Sequence, residues 1–310
     1  MNRERKPDSG KEENKLKTAL IIKDPLRGVT YYGGDQSWFE KNTRFYGGCG
    51  VVALANALRI LLFQGDKKGE FSNNKEGRNK AASGEALWKL SEDLKPLSKK
   101  DITREEYTRI MNDMYSSMHV FELPLINYLY NRSERKSRLF KYLIPSFGMS
   151  QGTLIRGMLK YSKKNGLLLM SHVYESTYSG YDEGLAFIKK GLREAGYVII
   201  LTSFNKHSLK VYSKVNDPES SYNSSMKSHF ATITDILYND KGAPLLRLSS
   251  WGREARVSYG ELYASWQKRR AYTSSLFYFT KTESRAVYGA AIRKSIFPAF
   301  ISLRKTLFKS

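Results

Sequence analysis

Cysteine occurs once in this 310-residue chain, at Cys49. A single thiol excludes an internal disulfide and any zinc centre built from clustered cysteines. Long apolar runs are missing as well, since none approaches the ~18 residues of a membrane span. The first residues, Met1 to Lys17, are charged and lack the apolar centre of a secretory signal. Together these absences set the expectation of a soluble, cytoplasmic protein. The sequence also lacks a P-loop, a dinucleotide fingerprint and the His-Glu-x-x-His zinc pattern. Nothing in it calls for a metal or a cofactor.

Acidic residues are scarce beside basic ones, 30 against 52, and the formal net charge is +22. Such an excess favours an anionic contact: nucleic acid, a lipid membrane surface or an acidic substrate. It equally suits a lysine-rich solvated surface. Aromatic residues make up 13% of the chain, and tyrosine is the commonest of them. That argues for a true core and for a groove with sticky walls.

Four stretches organise the chain. Residues 1–17 read as a flexible polar lead-in. Residues 18–164 read as a mainly helical part. The apolar stretch Ala19-Leu20-Ile21-Ile22 is followed by a Gly- and Tyr-rich loop, and then Gly47-Gly48-Cys49-Gly50 breaks the chain. Val51 to Phe63, almost wholly apolar and free of Pro and Gly, predicts a buried helix with Cys49 at or just before its first turn. Residues 64–82 read as a surface loop. Helices are predicted near 84–95 and 104–117, the second opened by the capping-box pair Thr103 and Glu106. Another spans 150–164, closed by Asn165-Gly166.

Residues 165–284 read as β-rich. Strands are predicted at 167–174, 197–204, 230–238, 245–249 and 275–279, with one helix over 182–195 ended by Gly196. A hairpin is expected around Asn239-Asp240-Lys241-Gly242. Residues 285–310 form a basic, apolar tail, expected either to dock on an anionic surface or to pack on the domain. Helices first and strands second argue for an α+β fold.

Two residues suit nucleophilic chemistry. A thiol at a helix start is favoured as thiolate by the positive end of the helix. Flanking glycines let a substrate approach, and a helix-start N–H can hold an oxyanion. On its own, Cys49 better suits a buried structural thiol. His229 opens the strand His229-Phe230-Ala231-Thr232-Ile233-Thr234, and the return strand ends in Leu248-Ser249-Ser250-Trp251-Gly252. The hairpin brings His229 and Ser249 to one end of the sheet. His119, His172 and His207 have no such setting and read as ordinary core or surface residues.

Gly-Cys-Gly before a buried helix, then His at a strand start, then Ser-Trp-Gly closing the hairpin, resembles the papain-like cysteine peptidases. It is most similar to the bacterial, C39-like branch. The resemblance covers residues 30–63 and 165–280, with no matching motif over 64–150. It implies a helical part packed on an antiparallel sheet, with the active-site cleft between them. It also implies Cys49 as nucleophile and His229 as base, the two held as an ion pair, attacking a peptide or amide bond through an acyl-enzyme. Ser249 stands where the family has an Asn that orients the histidine, and Asn205, Asn223 and Asp235 are further candidates for that role. Gln36 is the counterpart of the family's oxyanion-hole amide. A catalytically silent relative that binds peptides or protein partners in the same cleft is the other reading. A basic protein that binds nucleic acid or membrane is the third.

Overall fold

Alternating apolar residues pair into two sheets, and the apolar helix that starts at Cys49 packs against the larger one. A computed structural model describes residues 19–39, 48–67, 90–118, 151–175, 180–212, 218–268 and 275–282. The predicted lead-in (1–17), the tail (285–310), residues 68–89 and His119 lie outside the described residues.

The first part opens with a hairpin, β1 (Ile21–Asp24) and β2 (Val29–Tyr32). Helix α1 spans Cys49–Lys67 and so continues past the predicted end at Phe63. Strand β3 (Ile102–Thr103) adds to β1 in parallel, giving a three-stranded sheet ordered β2-β1-β3. Helix α2 (Arg104–Ser117) starts as predicted: Thr103 and Glu106 form both bonds of the capping box. Helix α3 spans Gln151–Lys164 and ends before Gly166, whose φ is 81°. The helix predicted near 84–95 is corrected over its described part. Glu92–Ser98 is a 3-10 helix with Pro96 inside it, a residue that cannot donate to an α-helical ladder.

The second part holds β4 (Leu169–Glu175), α4 (Tyr181–Ala195), β5 (Val198–Tyr212), β6 (Ser221–Tyr238), β7 (Pro244–Ser250), β8 (Arg253–Ser258), α5 (Tyr259–Lys268) and β9 (Ser275–Lys281). Gly196, at φ 78°, ends α4. The sheet order is β4-β9-β5-β6-β7-β8. The long strand β5 also pairs with β8, through Leu209↔Val257 to Tyr212↔Glu254, so β5, β6, β7 and β8 close into a ring. The fold is α+β.

Strand β8 and helix α5 went unpredicted. The charges of Arg253, Glu254 and Arg256 disguise β8, yet Glu254 is buried. Arg247 of β7 lies 3.0 Å from Asp235 of β6 and 3.3 Å from Glu254, and Arg256 lies 2.8 Å from Glu254. An ion cluster therefore braces three strands where an apolar pattern would ordinarily signal them.

Helix α1 is buried along its length, and two of its polar residues are wholly enclosed. The Arg59 guanidinium donates to the carbonyls of Ala19 (2.8 Å), Leu97 and Lys100 (3.2 Å), tying α1 to the chain before β1 and to the 3-10 segment. Asn56 faces the opposite way, toward the sheets. Among the described residues, no helix is long and apolar enough to cross a membrane.

Candidate active site

Two features, one local and one long-range, set the nucleophile. The N–H of Val52 donates to the Gly48 carbonyl at 2.9 Å, which fixes Cys49 in the opening turn of α1. Gly50 lets α3 come close, since a Cβ there would lie 2.7 Å from Leu154. The sulfur is enclosed, with Cys49 7% exposed. Burial pushes the thiol up from its ordinary range, while the backbone N–H groups of Phe230, Gly50 and Cys49 itself pull it the other way.

The opposite wall is built by strands. His229 does not open its strand as expected: β6 starts eight residues earlier, at Ser221, and His229 is buried near its middle, opposite Thr202. Its Nε2 lies 2.7 Å from Ser250 Oγ. Its ring packs on that of Trp251 at 4.6 Å between centroids and 32° between planes. Burial alone pushes the imidazole down to about 3. Burial thus works against the expected ion pair, because each charged form would lose its water.

Strands β7 and β8 join through a two-residue turn in which Trp251 has φ 53° and Gly252 φ 68°. Positive φ at both central positions is the pattern of a type I′ hairpin turn, which matches the twist of the strands. Glycine adopts it freely. A tryptophan there carries strain of about 1–3 kcal/mol, and the strained ring is the one lying on His229. The turn is clamped to the first part of the chain: Tyr32 N donates to Gly252 O at 2.8 Å, and Gly252 N to Gly34 O at 2.9 Å. Gln36 follows in a short 3-10 helix, Gln36–Trp38, capped by Asp35, whose carboxylate accepts from Ser37 N at 2.8 Å.

Gln36, Cys49, His229, Phe230, Ser250 and Trp251 line one pocket. It is narrow, with room for about one water-sized group beside the sulfur. The structure thus brings all four predicted site residues, Gln36, Cys49, His229 and Ser249, to one pocket, but Ser249 does not take its predicted role. Among the described residues, no group of His, Cys, Asp and Glu is placed to hold a metal ion.

The fourth residue is reassigned. Ser249 borders the pocket, but its hydroxyl donates to Tyr32 O at 2.8 Å and accepts from Asn56 Nδ2 at 3.1 Å. Ser250, not Ser249, meets the histidine ring. The cause is register. Asp235 pairs with Arg247 but Ile233 with Leu248, so Thr234 is an extra, bulged residue. Without the bulge, Ser249 would pair with Ile233 and share a face with His229. With it, Ser249 pairs with Thr232, and the face that carries His229 and Ile233 receives Leu248 and Ser250. Asn223 and Asp235 do not orient the ring either. Asn223 is exposed and pairs with Lys210, and Asp235 holds Arg247. The side chains of Asn205 and His207 lie outside the described residues. His172 stacks on Tyr278, and its Nε2 lies 2.9 Å from Thr280 Oγ1, away from the pocket.

Asn56, bonded to Gly34 N and Ser249 Oγ, supports the pocket from behind without lining it, and this was not predicted. A lone Asn inside an apolar helix was the available signal, because a buried amide must find partners. No protein-family model matches this sequence, and no curated protein matches it either.

Proposed function

We propose that this chain is a thiol hydrolase of the papain-like kind, cleaving a peptide or amide bond through a Cys49 acyl-enzyme. One observation carries the reading. A cysteine in the first turn of a buried helix shares a pocket with a histidine whose Nε2 is already engaged by Ser250. With Nε2–H donating to Ser250 Oγ, the lone pair lies on Nδ1. That nitrogen takes the thiol proton as the sulfur attacks the carbonyl carbon. The backbone N–H of Cys49 and the Gln36 side-chain amide serve as donors to the oxyanion. The imidazolium then returns its proton to the leaving amine, leaving a thioester. Water, deprotonated by His229, releases the acid and restores the thiol. Because burial disfavours the charged form of both partners, proton transfer accompanies attack instead of preceding it.

The test is hydrolysis of a broad peptide and amide panel, with the quenched reaction examined by mass spectrometry. The expected result is turnover together with an acyl adduct on Cys49, both lost in Cys49→Ala. Turnover that survives in Cys49→Ala overturns the mechanism. A second reading draws on the same enclosure: a thiol and an imidazole whose charged forms are disfavoured by burial also suit a silent module that binds peptides or protein partners. No turnover on any substrate, with peptide binding measurable by calorimetry, favours that reading. The net charge of +22 supports an anionic partner outside the pocket, a membrane or a nucleic acid, and salt-dependent binding that is unchanged in Cys49→Ala is its signature.

A further inference from the structure

Asn56 lies on α1 within a wholly buried set of partners, and every polar atom of its amide is used. Its Oδ1 accepts from Gly34 N at 3.0 Å and from Tyr107 OH at 2.6 Å. Its Nδ2 donates to Ser249 Oγ at 3.1 Å and approaches Thr232 Oγ1 at 3.5 Å. Apart from Tyr107 on α2, these partners belong to the segments that supply the pocket. Gly34 precedes Gln36. Thr232 is on the strand of His229. Ser249 adjoins Ser250. Asn56 itself shares the helix of Cys49. The fit leaves no slack, because a Cβ on Gly33 would collide with Ser249 Oγ, and one on Gly34 would lie 2.6 Å from the Tyr107 ring.

We propose that Asn56 is the positioning residue of this site, locking the Gly33–Gly34 loop and its Gln36 against the helix of Cys49 and the strands of His229 and Ser250. Its meaning for turnover rests on the hydrolase reading, but the geometric claim does not. A buried amide with four partners over-determines its own position, and losing it strands Gly34 N, Tyr107 OH and Ser249 together. The loop then opens locally at lower cost than the whole domain. Arg59 is the internal control, since it is equally buried on the same helix but bonded to Ala19, Leu97 and Lys100, away from the pocket.

The experiment measures the second-order rate of Cys49 alkylation by iodoacetamide, with folding checked by circular dichroism at the same temperature. In Asn56→Val the rate should rise about tenfold or more, while Arg59→Leu stays within about twofold of wild type. Should Asn56→Val fail to fold, Tyr107→Phe, which removes one of the four partners, should raise the rate about threefold. An unchanged or lower rate in the Asn56 or Tyr107 variant, or an equal rise in Arg59→Leu, overturns the proposal. Turnover adds a second reading of the same variants: a fall in Asn56→Val that is not deepened by adding Gln36→Ala places Asn56 and Gln36 on one path, and additive losses overturn that link. Alkylation needs no substrate, so failure of the hydrolase reading and failure of this inference are separately visible.

Discussion

The two walls of the pocket are built on different principles. The helical wall places Cys49 chiefly by a contact close in sequence, the Val52 N–H bond to the Gly48 carbonyl, with Gly50 only leaving room for the distant α3. The strand wall sets His229 and Ser250 by pairing across distant segments, a bulge at Thr234 and a strained turn at Trp251. A local wall tolerates change elsewhere in the chain. A wall set by register does not, because a slip of one residue exchanges its two faces.

The largest effects are expected at the reacting atoms. Cys49→Ala should abolish hydrolysis, and His229→Ala should lower it by on the order of 10³-fold, both read from initial rates on the best substrate of the panel. Similar rates in all three proteins would remove both walls from the chemistry.

Acid should next separate the walls. Burial holds His229 at about 3, below its ordinary value of 6.5. The unfolded chain therefore binds a proton that the folded one refuses. Stability is complete above pH 6.5 and falls as pH drops toward 3, by up to ~1.4 kcal/mol per pH unit from this group. Urea denaturation from pH 7 to pH 5 should show that slope, and His229→Gln should flatten it.

The adjoining serines sharpen the contrast. Ser250→Ala removes the hydroxyl that orients the ring and should cost about tenfold in kcat with little loss of stability. Ser249→Ala strands Asn56 Nδ2, so it should cost about 1–3 kcal/mol of stability and move kcat less than Ser250→Ala does. The reverse order would return Ser249 to the ring.

The smallest effect is expected at the turn. Trp251→Asn keeps a residue that tolerates positive φ while removing the ring on His229. Thermal stability should shift by about 1 kcal/mol or less, because relief of backbone strain offsets lost packing. The rate should fall severalfold.

Much of the fold was legible along the chain. The capping box at Thr103, the glycines at 166 and 196 and the apolar run after Cys49 each act over a few residues, and each fell where expected. Strand β8 was hidden by charges that only a buried ion cluster explains. Asn56 was visible as an oddity in an apolar helix, but its partners lie up to 193 residues away.

The sequence by itself determined that Cys49 begins a buried helix and that His229 lies on a strand whose hairpin partner ends in Ser-Trp-Gly. Local propensity and periodicity suffice for that. Only the tertiary structure decided which serine meets the ring. Ser249 and Ser250 are identical in type and adjacent in sequence, and a strand sends neighbours to opposite faces. The choice between them was made by Thr234, which bulges out of the pairing with its hydroxyl 2.9 Å from that of Tyr32, 202 residues earlier in the chain.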